Sequence, residues 1–258
     1  MTGILRKLNW LIGIQAGFDL LKFARFMKNI PRFISDWLLF RKQYSGRMGF
    51  LPCLHDREEE GGVAKGDYFW QDLFVAQKIF KAQPSRHVDV GSRLDGFIAH
   101  VASFREIEVF DIRPITAAVT QVIFRQADIT DAAKVTSDYC DSLSCLHALE
   151  HFGLGRYGDR IDPEGHVVGL KNMARLIKTG GIFYLSVPVG VERVEFNAHR
   201  IFNPIKLVRL AGEVGLELDS FASYRIGESL RVSNNPAVTM AELAMHDYAL
   251  GIFIFIKK

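Results

Sequence analysis

The sequence has 258 residues, of which 48% are hydrophobic and 24% charged, and this length suffices for one sizeable hydrophobic core plus an extension. The three cysteines, none of them in a C-x-x-C pair, exclude a disulfide framework, and the apolar run over residues 9–18 is shorter than the roughly 20 residues that a membrane span needs. That run also lacks the small-residue cleavage site of a secretory signal, so we expect a cytoplasmic protein.

The formal net charge of +3 is unevenly distributed along the chain. Residues 1–50 contain nine lysines and arginines but only two acids, a net charge of +7, which leaves −4 for the remainder. A basic, aromatic-rich segment ahead of a mildly acidic body predicts that the partner is an anionic surface, either a membrane or a nucleic acid.

Apolar residues recur every three to four positions from residue 4 to residue 40, which predicts helix. We expect Pro31 to break it and to leave a second short helix over residues 33–40. Basic side chains opposite Phe, Trp and Leu are typical of a helix in a membrane interface, and also of one packed on a globular domain or a second subunit. We therefore predict a basic amphipathic extension and linker over residues 1–66, with peripheral contact between residues 1–45 and the inner membrane face as one hypothesis.

Strands and helices alternate from residue 67 onwards, which predicts a parallel sheet with right-handed crossovers. No helix is evident between the last two predicted strands, so the last strand should be antiparallel. Residues 67–258 are thus expected to form an α/β domain with a doubly wound, mostly parallel seven-stranded sheet. The predicted strands cover residues 86–90, 107–112, 121–126, 139–146, 182–187, 217–226 and 248–257.

The segment RHVDVGSRLDG, residues 86–96, is the centre of this pattern. A short apolar strand ends in Asp89 and Gly91, turns tightly and continues into a helix. Such a turn places backbone N–H groups at the carboxyl edge of the sheet, where open α/β sheets bind nucleotide-like ligands. Further acids, Asp111 and Asp128, follow the next two strands, and although each could satisfy only its own loop, acids at consecutive strand ends favour a ligand.

This order of elements resembles the class I S-adenosylmethionine-dependent methyltransferases. The residues VDVG at 88–91, Asp111, the pair Asp128–Ile129 and the segment CLHALEH at 145–151 carry the resemblance. It implies that Asp89 and Gly91 approach the methionine part of S-adenosylmethionine, that Asp111 binds the ribose hydroxyls, and that Asp128 and Ile129 flank adenine, with His147 against the cofactor. More narrowly, VDVGSRLDGF, SCLHALEHFGLGRYGD and FNAHRIF resemble an uncharacterised bacterial methyltransferase-like family associated with surface-polysaccharide gene regions.

One position departs from the superfamily pattern. Arg93 stands where glycine is usual, followed by Asp95 and Gly96, so G-x-G-x-x-G is not satisfied and dinucleotide binding is disfavoured. Arg93 could crowd the cofactor or pair with its carboxylate, and it leaves open a phosphate-bearing ligand such as a nucleotide sugar. We include Arg93 and Asp95 in the predicted cofactor site.

A metal site is the alternative for His147, Glu150 and His151, because side chains at this spacing share a helix face and His-x-x-Glu-His is also the inverted zincin motif. The glycines at 153, 155 and 158 would cut such a helix short. We therefore predict no metal and interpret residues 153–165 as a functional lid.

Methyl transfer to a sugar hydroxyl gains from a base that titrates near neutrality, and histidine fits this range. The candidates are His199, after the fifth strand, and His147. For the acceptor we predict contacts from His151, Arg156, Tyr157 and Arg200.

The predicted function is transfer of a methyl group from S-adenosylmethionine to a hydroxyl of a saccharide or lipid-linked glycan intermediate. The alternative is a non-catalytic protein of the same fold that binds a nucleotide-like ligand or a protein partner in glycan assembly. No nucleic-acid partner is expected, because the basic residues are concentrated in the apolar head and not around the predicted cleft.

Overall fold

The computed structural model describes residues 19–54, 62, 64 and 66–258. The chain divides into two compact units, Met1–Val63 and Ala64–Lys258. The predicted helical positions before residue 19 lie outside the described residues.

In the first unit one helix, α1 (Leu20–Gln43), runs without interruption through Pro31, so the predicted break is wrong. Proline removes one backbone hydrogen bond and can kink a helix, but the helical turns on both sides of Pro31 keep their own hydrogen bonds, so the helix continues. The segment after α1 folds back on it, with Phe50 packed edge-on against Phe33 and Asn29 Nδ2 donating to the Leu54 carbonyl at 2.8 Å. None of the helices described is long and apolar enough to cross a membrane.

The described residues of the second unit form ten strands, numbered β1 to β10 in chain order, and eight of them form one sheet in the order β3-β2-β1-β4-β5-β10-β8-β9. Strands β1 to β5 are parallel, whereas β10 is antiparallel to both β5 and β8. Strands β6 and β7 form a separate hairpin. The strands are β1 (His87–Val90), β2 (Ile107–Asp111), β3 (Val122–Gln126), β4 (Cys140–Leu146), β5 (Ile177–Val189), β6 (Arg193–Glu195), β7 (His199–Ile201), β8 (Leu216–Tyr224), β9 (Arg231–Val232) and β10 (Ala249–Lys257).

This architecture confirms the predicted fold class, a doubly wound, mostly parallel sheet whose last strand is antiparallel. The two-residue β9 adds an eighth strand at the edge. Between β8 and β10 the chain also forms a helix, α6, which the sequence analysis does not predict. Asn235 begins it by accepting a hydrogen bond from the Val238 backbone N–H, and the helix covers two turns, too few for a clear apolar period.

The described residues of this unit form five α-helices, α6 included. They are α2 (Asp67–Ala82), α3 (Ala99–Ala102), which follows a helical turn at Leu94–Ile98, α4 (Gly165–Leu176), α5 (Pro204–Glu213) and α6 (Pro236–Leu243). Asn203 caps α5 by accepting from the backbone N–H groups of Ile205 and Lys206.

Two apolar clusters form the core, one on each face of the sheet. Helices α4, α5 and α6 cover one cluster, which includes Leu143, Phe183 and Phe253, and α2 and α3 cover the other, which includes Ile79 and Phe97. Strand β1 is buried along its whole length between β2 and β4. This central position fixes the loop after β1 and leaves the carboxyl ends of β1 to β4 free to form a site.

Candidate functional site

A cavity of about 320 Å³ lies at the carboxyl ends of β1, β2, β3 and β4, a size within the range of small-molecule sites. Aromatic rings, three arginines, three aspartates and two histidines contribute to its wall. The lining residues are Tyr68, Val90, Gly91, Arg93, Phe110, Asp111, Ile112, Arg113, Ala127, Asp128, Ile129, Thr130, His147, Ala148, His151, Phe152, Arg156, Tyr157 and Asp159.

The turn after β1 forms the floor. Gly91 has φ +74°, and a Cβ there would lie 2.8 Å from the Ala148 Cβ, so both backbone conformation and space require glycine. Asp89 is buried and does not line the cavity, because its carboxylate accepts hydrogen bonds from Ser92 N (2.9 Å), Ser92 Oγ (2.6 Å) and Ser144 Oγ (2.6 Å). Its role in this structure is to hold the turn that presents Gly91.

Asp111, at the end of β2, lines the cavity as the sequence predicts, but it has a partner that the sequence analysis missed. Arg113 binds both carboxylate oxygens, Nε to Oδ1 at 3.1 Å and Nη2 to Oδ2 at 2.7 Å. The Arg113 backbone N–H also donates to Oδ1, at 2.8 Å. A carboxylate offers about four lone-pair positions, so these three hydrogen bonds leave one position for a ligand hydroxyl. The spacing of two residues between the acid and the arginine was the available signal.

Beyond β3, Asp128 and Ile129 both line the cavity. Asp128 uses Oδ1 to accept from the backbone N–H and the hydroxyl of Thr130, at 2.8 and 2.7 Å. The Ile129 carbonyl is anchored by Asn172 Nδ2 on α4 at 2.8 Å, which fixes the position of the apolar side chain. One carboxylate beside one apolar wall suits a flat heterocycle that carries an exocyclic amine.

Arg93 lies in the cavity wall, two residues after Gly91. It pairs in a bidentate manner with Asp95, Nε to Oδ1 at 3.0 Å and Nη2 to Oδ2 at 2.7 Å, and its guanidinium lies 5.0 Å from the Tyr68 ring centroid. Asp95 itself is exposed and does not line the cavity. An exposed ion pair of this kind is worth about 0–1 kcal/mol, so a ligand anion can replace Asp95 at little cost.

His147 and Glu150 follow β4, and His147 has a left-handed backbone with φ +53°. The His147 Nδ1 lies 2.7 Å from Glu150 Oε1, and the side chains of both residues are almost fully buried. His151 also lines the cavity, and its Nδ1 lies 2.7 Å from the Ala198 carbonyl. No group of three or more His, Cys, Asp or Glu residues within the described part of the chain is arranged to hold a metal ion.

The loop after β4, predicted as a lid, covers one side of the cavity. Asp159 orders it by accepting from the backbone N–H groups of Gly153 (2.8 Å), Gly155 (3.1 Å) and Tyr157 (3.2 Å). The Tyr157 ring lies 4.3 Å from the guanidinium carbon of Arg113 and packs edge-on against His151. Tyr157 thus links the lid to the Asp111–Arg113 pair at the cavity wall.

Two residues predicted after the fifth strand lie outside the cavity lining. The Arg200 side chain is buried and donates to the backbone carbonyls of Glu150, Phe152 and Pro163. Its guanidinium is therefore committed to holding the lid and is reassigned from acceptor binding to structure. His199 is half-buried beside the Tyr248 ring, with the ring centroids 6.4 Å apart, and burial lowers its pKa.

Arg156, which the sequence also predicts as an acceptor contact, lines the cavity, unlike Arg200. Its Nη1 donates to the Ala198 carbonyl at 2.7 Å, the same oxygen that His151 contacts, and the rest of the side chain is exposed at the cavity rim. Tyr68, in the first turn of α2, lines the cavity although the sequence does not predict it as a site residue. Its ring lies 5.1 Å from the His147 ring between centroids, and this proximity arises only from the packing of α2 near the end of β4.

Comparisons with known proteins agree on the fold. A structure of an S-adenosylmethionine-dependent methyltransferase from Clostridium acetobutylicum is similar over 75% of this chain and 93% of that chain, with a TM-score of 0.51 and 10% identity. The N-methyltransferase NodS from Bradyrhizobium japonicum, in complex with S-adenosyl-L-homocysteine, is similar over 71% of this chain and 84% of that chain, with a TM-score of 0.48 and 13% identity. At 10% identity, the likeness to the Clostridium acetobutylicum structure shows the methyltransferase fold alone.

Two further comparisons say less about function. A family model described as "Caenorhabditis protein of unknown function, DUF268" matches residues 117–237. A search of curated proteins finds no match.

Proposed function

We propose that this protein transfers a methyl group from S-adenosylmethionine to a hydroxyl of a saccharide or of a lipid-linked glycan intermediate. The observation that carries the proposal is the cavity itself. Gly91, Asp111 and the Asp128–Ile129 pair come from three successive strands and line one cavity at the carboxyl edge of a methyltransferase-fold sheet.

The residues present fit this cofactor. Gly91 keeps open a space that a Cβ would fill, Asp111 retains one acceptor position for a ribose hydroxyl, and Asp128 with Ile129 suits adenine. Arg93 would pair with the methionine carboxylate in exchange for Asp95. When bound, S-adenosylmethionine supplies an electrophilic methyl group on a sulfonium.

The work left to the protein is to align the acceptor oxygen, exclude water and take up a proton. Tyr68 and Tyr157 provide aromatic surfaces with polar ends, and Arg156 provides a cation at the rim. Such a mixture suits a hydroxyl-rich acceptor with an anionic group, such as a nucleotide-linked sugar. The resemblance to a polysaccharide-associated family supports the same class.

Calorimetric titration of the full chain with S-adenosyl-L-homocysteine tests the cofactor, and transfer of a tritiated methyl group from S-adenosylmethionine to UDP-hexoses tests the acceptor class. We expect saturable heat in the first experiment and labelled sugar in the second. Heat without labelled UDP-hexose would keep the cofactor and reject that acceptor. No heat from a protein that is folded by circular dichroism would contradict the proposal.

The second candidate function is ligand or partner binding without catalysis. Two observations favour it: Arg93 replaces the usual glycine, and Arg113 already occupies Asp111. In that case the cavity takes a phosphate-bearing nucleotide through Arg93, and UDP-glucose should bind while S-adenosyl-L-homocysteine should not.

We also propose that the N-terminal segment, residues 1–45, binds an anionic membrane surface. Phe23, Met27, Ile34 and Leu38 follow helical spacing on one face of α1, and each is about half exposed. Arg32 lies on the opposite face. A helix of this type binds at the lipid interface through its apolar face and through attraction to acidic headgroups.

A further inference from the structure

His147 and Glu150 form a buried, hydrogen-bonded pair in the segment after β4. His147 lies directly after β4 in a left-handed conformation that a side chain other than glycine adopts rarely. Strained positions of this kind concentrate at functional sites when the surrounding structure holds them in place. Here the hydrogen bond to Glu150, at 2.7 Å, and the packing of the ring against Tyr68, with centroids 5.1 Å apart, provide that hold.

The contacts of the imidazole determine which nitrogen can accept a proton. An ionised carboxylate only accepts hydrogen bonds, so His147 Nδ1 carries the hydrogen that Glu150 receives. In the neutral ring Nε2 then holds a lone pair. Among the described residues this buried Nε2 has no hydrogen-bond partner. The Oδ2 of Asp67, which accepts from the Tyr248 hydroxyl, lies 3.8 Å from it.

We propose that His147 is the catalytic base of the transfer reaction, accepting the proton of the acceptor hydroxyl at Nε2, and that Glu150 and Asp67 are positioning residues. This inference rests on the proposed function. As the acceptor oxygen bonds to the methyl carbon, its O–H bond breaks and the proton passes to Nε2. The electron pair of the broken carbon–sulfur bond remains on sulfur, which leaves a thioether and an imidazolium.

The charges around the ring support this role. Burial opposes the imidazolium, but the charge and hydrogen bond of Glu150, followed by the charges of Asp67 and Asp72, outweigh burial and raise the pKa of His147 above its ordinary value. The other titratable groups nearby are Tyr68, His151, His199 and Tyr248. The Glu150 carboxylate beside Nδ1 therefore favours the protonated ring, which is the state that a base reaches in the reaction.

The other two histidines of the region are less suited to the reaction. His151 directs Nδ1 to the Ala198 carbonyl at 2.7 Å, and burial lowers its pKa. His199 does not line the cavity, and burial lowers its pKa as well. His151 Nε2 lies 3.8 Å from Glu150 Oε1, too far for a hydrogen bond. Of these three histidines, only His147 combines a place in the cavity wall with a hydrogen bond to a carboxylate.

Nitrogen-15 and proton NMR of the histidine rings in the full chain tests the arrangement, with the His147 signals assigned by their loss in His147→Gln. We expect the neutral ring to carry its hydrogen on Nδ1. In Glu150→Gln, which keeps an oxygen to accept from Nδ1, the pKa of His147 should fall by at least about one unit, a tenfold loss of proton affinity. Glu192→Gln, which alters an exposed acid paired with Lys206, is the matched control. It should leave the pKa of His147 unchanged.

A pair of ligands tests whether His147 faces the reacting centre. Sinefungin carries an ammonium where S-adenosylmethionine has its methylsulfonium, whereas S-adenosyl-L-homocysteine is uncharged there. We expect the pKa of His147 to be lower in the sinefungin complex by about one unit, because a nearby cation disfavours the imidazolium.

The outcomes separate the two levels of the proposal. A hydrogen on Nε2 in the neutral ring, an unchanged pKa in Glu150→Gln, or equal pKa values in the two complexes would overturn the assignment of His147. Failure of both ligands to bind would instead refute the proposed function and with it the catalytic role. The tautomer of His147 would still show whether Glu150 orients the ring.

Discussion

Arg113 binds Asp111 through two side-chain hydrogen bonds and a third from its own backbone N–H, which lies 2.8 Å from Oδ1. The acid that follows β2 is therefore oriented before any ligand arrives. The Tyr157 ring packs on the other side of the same guanidinium, at 4.3 Å. A ligand that binds Asp111 must therefore form its hydrogen bonds while Arg113 stays bound to the same carboxylate. Its affinity depends on whether the Asp111–Arg113 pair remains intact.

The first prediction concerns this carboxylate. In Asp111→Ala the ribose hydroxyls lose their acceptor, and binding of S-adenosyl-L-homocysteine should weaken by about 1–3 kcal/mol. Isothermal calorimetry measures the change. Asp219→Ala removes an exposed acid on β8 and serves as the control, with unchanged affinity expected. Equal affinities in wild type and Asp111→Ala would remove Asp111 from the site.

Gly91 provides a test of the cavity floor, with Gly227 as a matched control. Both glycines have positive φ, +74° and +89°, so alanine costs roughly 1–2 kcal/mol of backbone strain at either position. At Gly91 the new Cβ would also meet Ala148 at 2.8 Å, whereas nothing lies within 4 Å at Gly227. We expect the free energy of urea unfolding of Gly91→Ala to be roughly 1–3 kcal/mol lower than that of Gly227→Ala. We also expect Gly91→Ala to lose ligand binding. Similar free energies of unfolding for the two variants would show that the turn after β1 can move to make room for the new Cβ.

Asp89 should make stability depend on pH. Burial raises its pKa from 3.8 to about 7, although hydrogen bonds from Ser144 and Ser92 favour the carboxylate. A raised pKa means that the folded state binds the proton more tightly than the unfolded state, so this contribution to stability is complete below about pH 4 and is lost as pH rises to about 7.

The comparison that isolates this effect uses Asp89→Asn, which cannot ionise. The free energy of urea unfolding of the wild type, minus that of Asp89→Asn, should fall between pH 4 and pH 7 and then level off. A difference that rises over this interval would mean that the three hydrogen bonds outweigh burial and that the pKa is depressed.

The exposed stripe of α1 leads to a prediction about membranes. Replacing Phe23 and Leu38 by serine in the full chain removes two apolar side chains from the stripe, each about half exposed. Binding to phosphatidylserine-containing vesicles in a sedimentation assay should weaken by at least about tenfold, since burying one such side chain is worth roughly 1.5–3 kcal/mol. Phe80→Ser changes an exposed phenylalanine of the second unit and should have no effect.

Raised salt should weaken binding of the wild type, because headgroup attraction is screened. Binding that survives both the serine replacements and high salt would exclude α1 as the contact. A wild-type protein that does not sediment with these vesicles would point instead to packing of this segment on protein.

The sequence by itself determined the elements whose causes are local. Alternating apolar segments and the glycine turn after β1 were sufficient to predict the sheet, its antiparallel last strand and the acids at the ends of β2 and β3. The strands follow from the spacing of apolar residues over a few positions, and the turn follows from the need for positive φ at Gly91. Each of these signals lies within a short stretch of chain.

The tertiary structure decided what each polar side chain does. Asp89 turns inward because Ser144, 55 residues away, approaches it in the folded sheet. Arg200 turns inward because the lid and the residues just before it present three carbonyls to it. Asp67, at the start of α2, comes within 3.8 Å of His147 only when the helix packs over the end of β4. A charged side chain binds whichever partners the packed chain brings within hydrogen-bond reach, and distance along the sequence carries no information about that proximity.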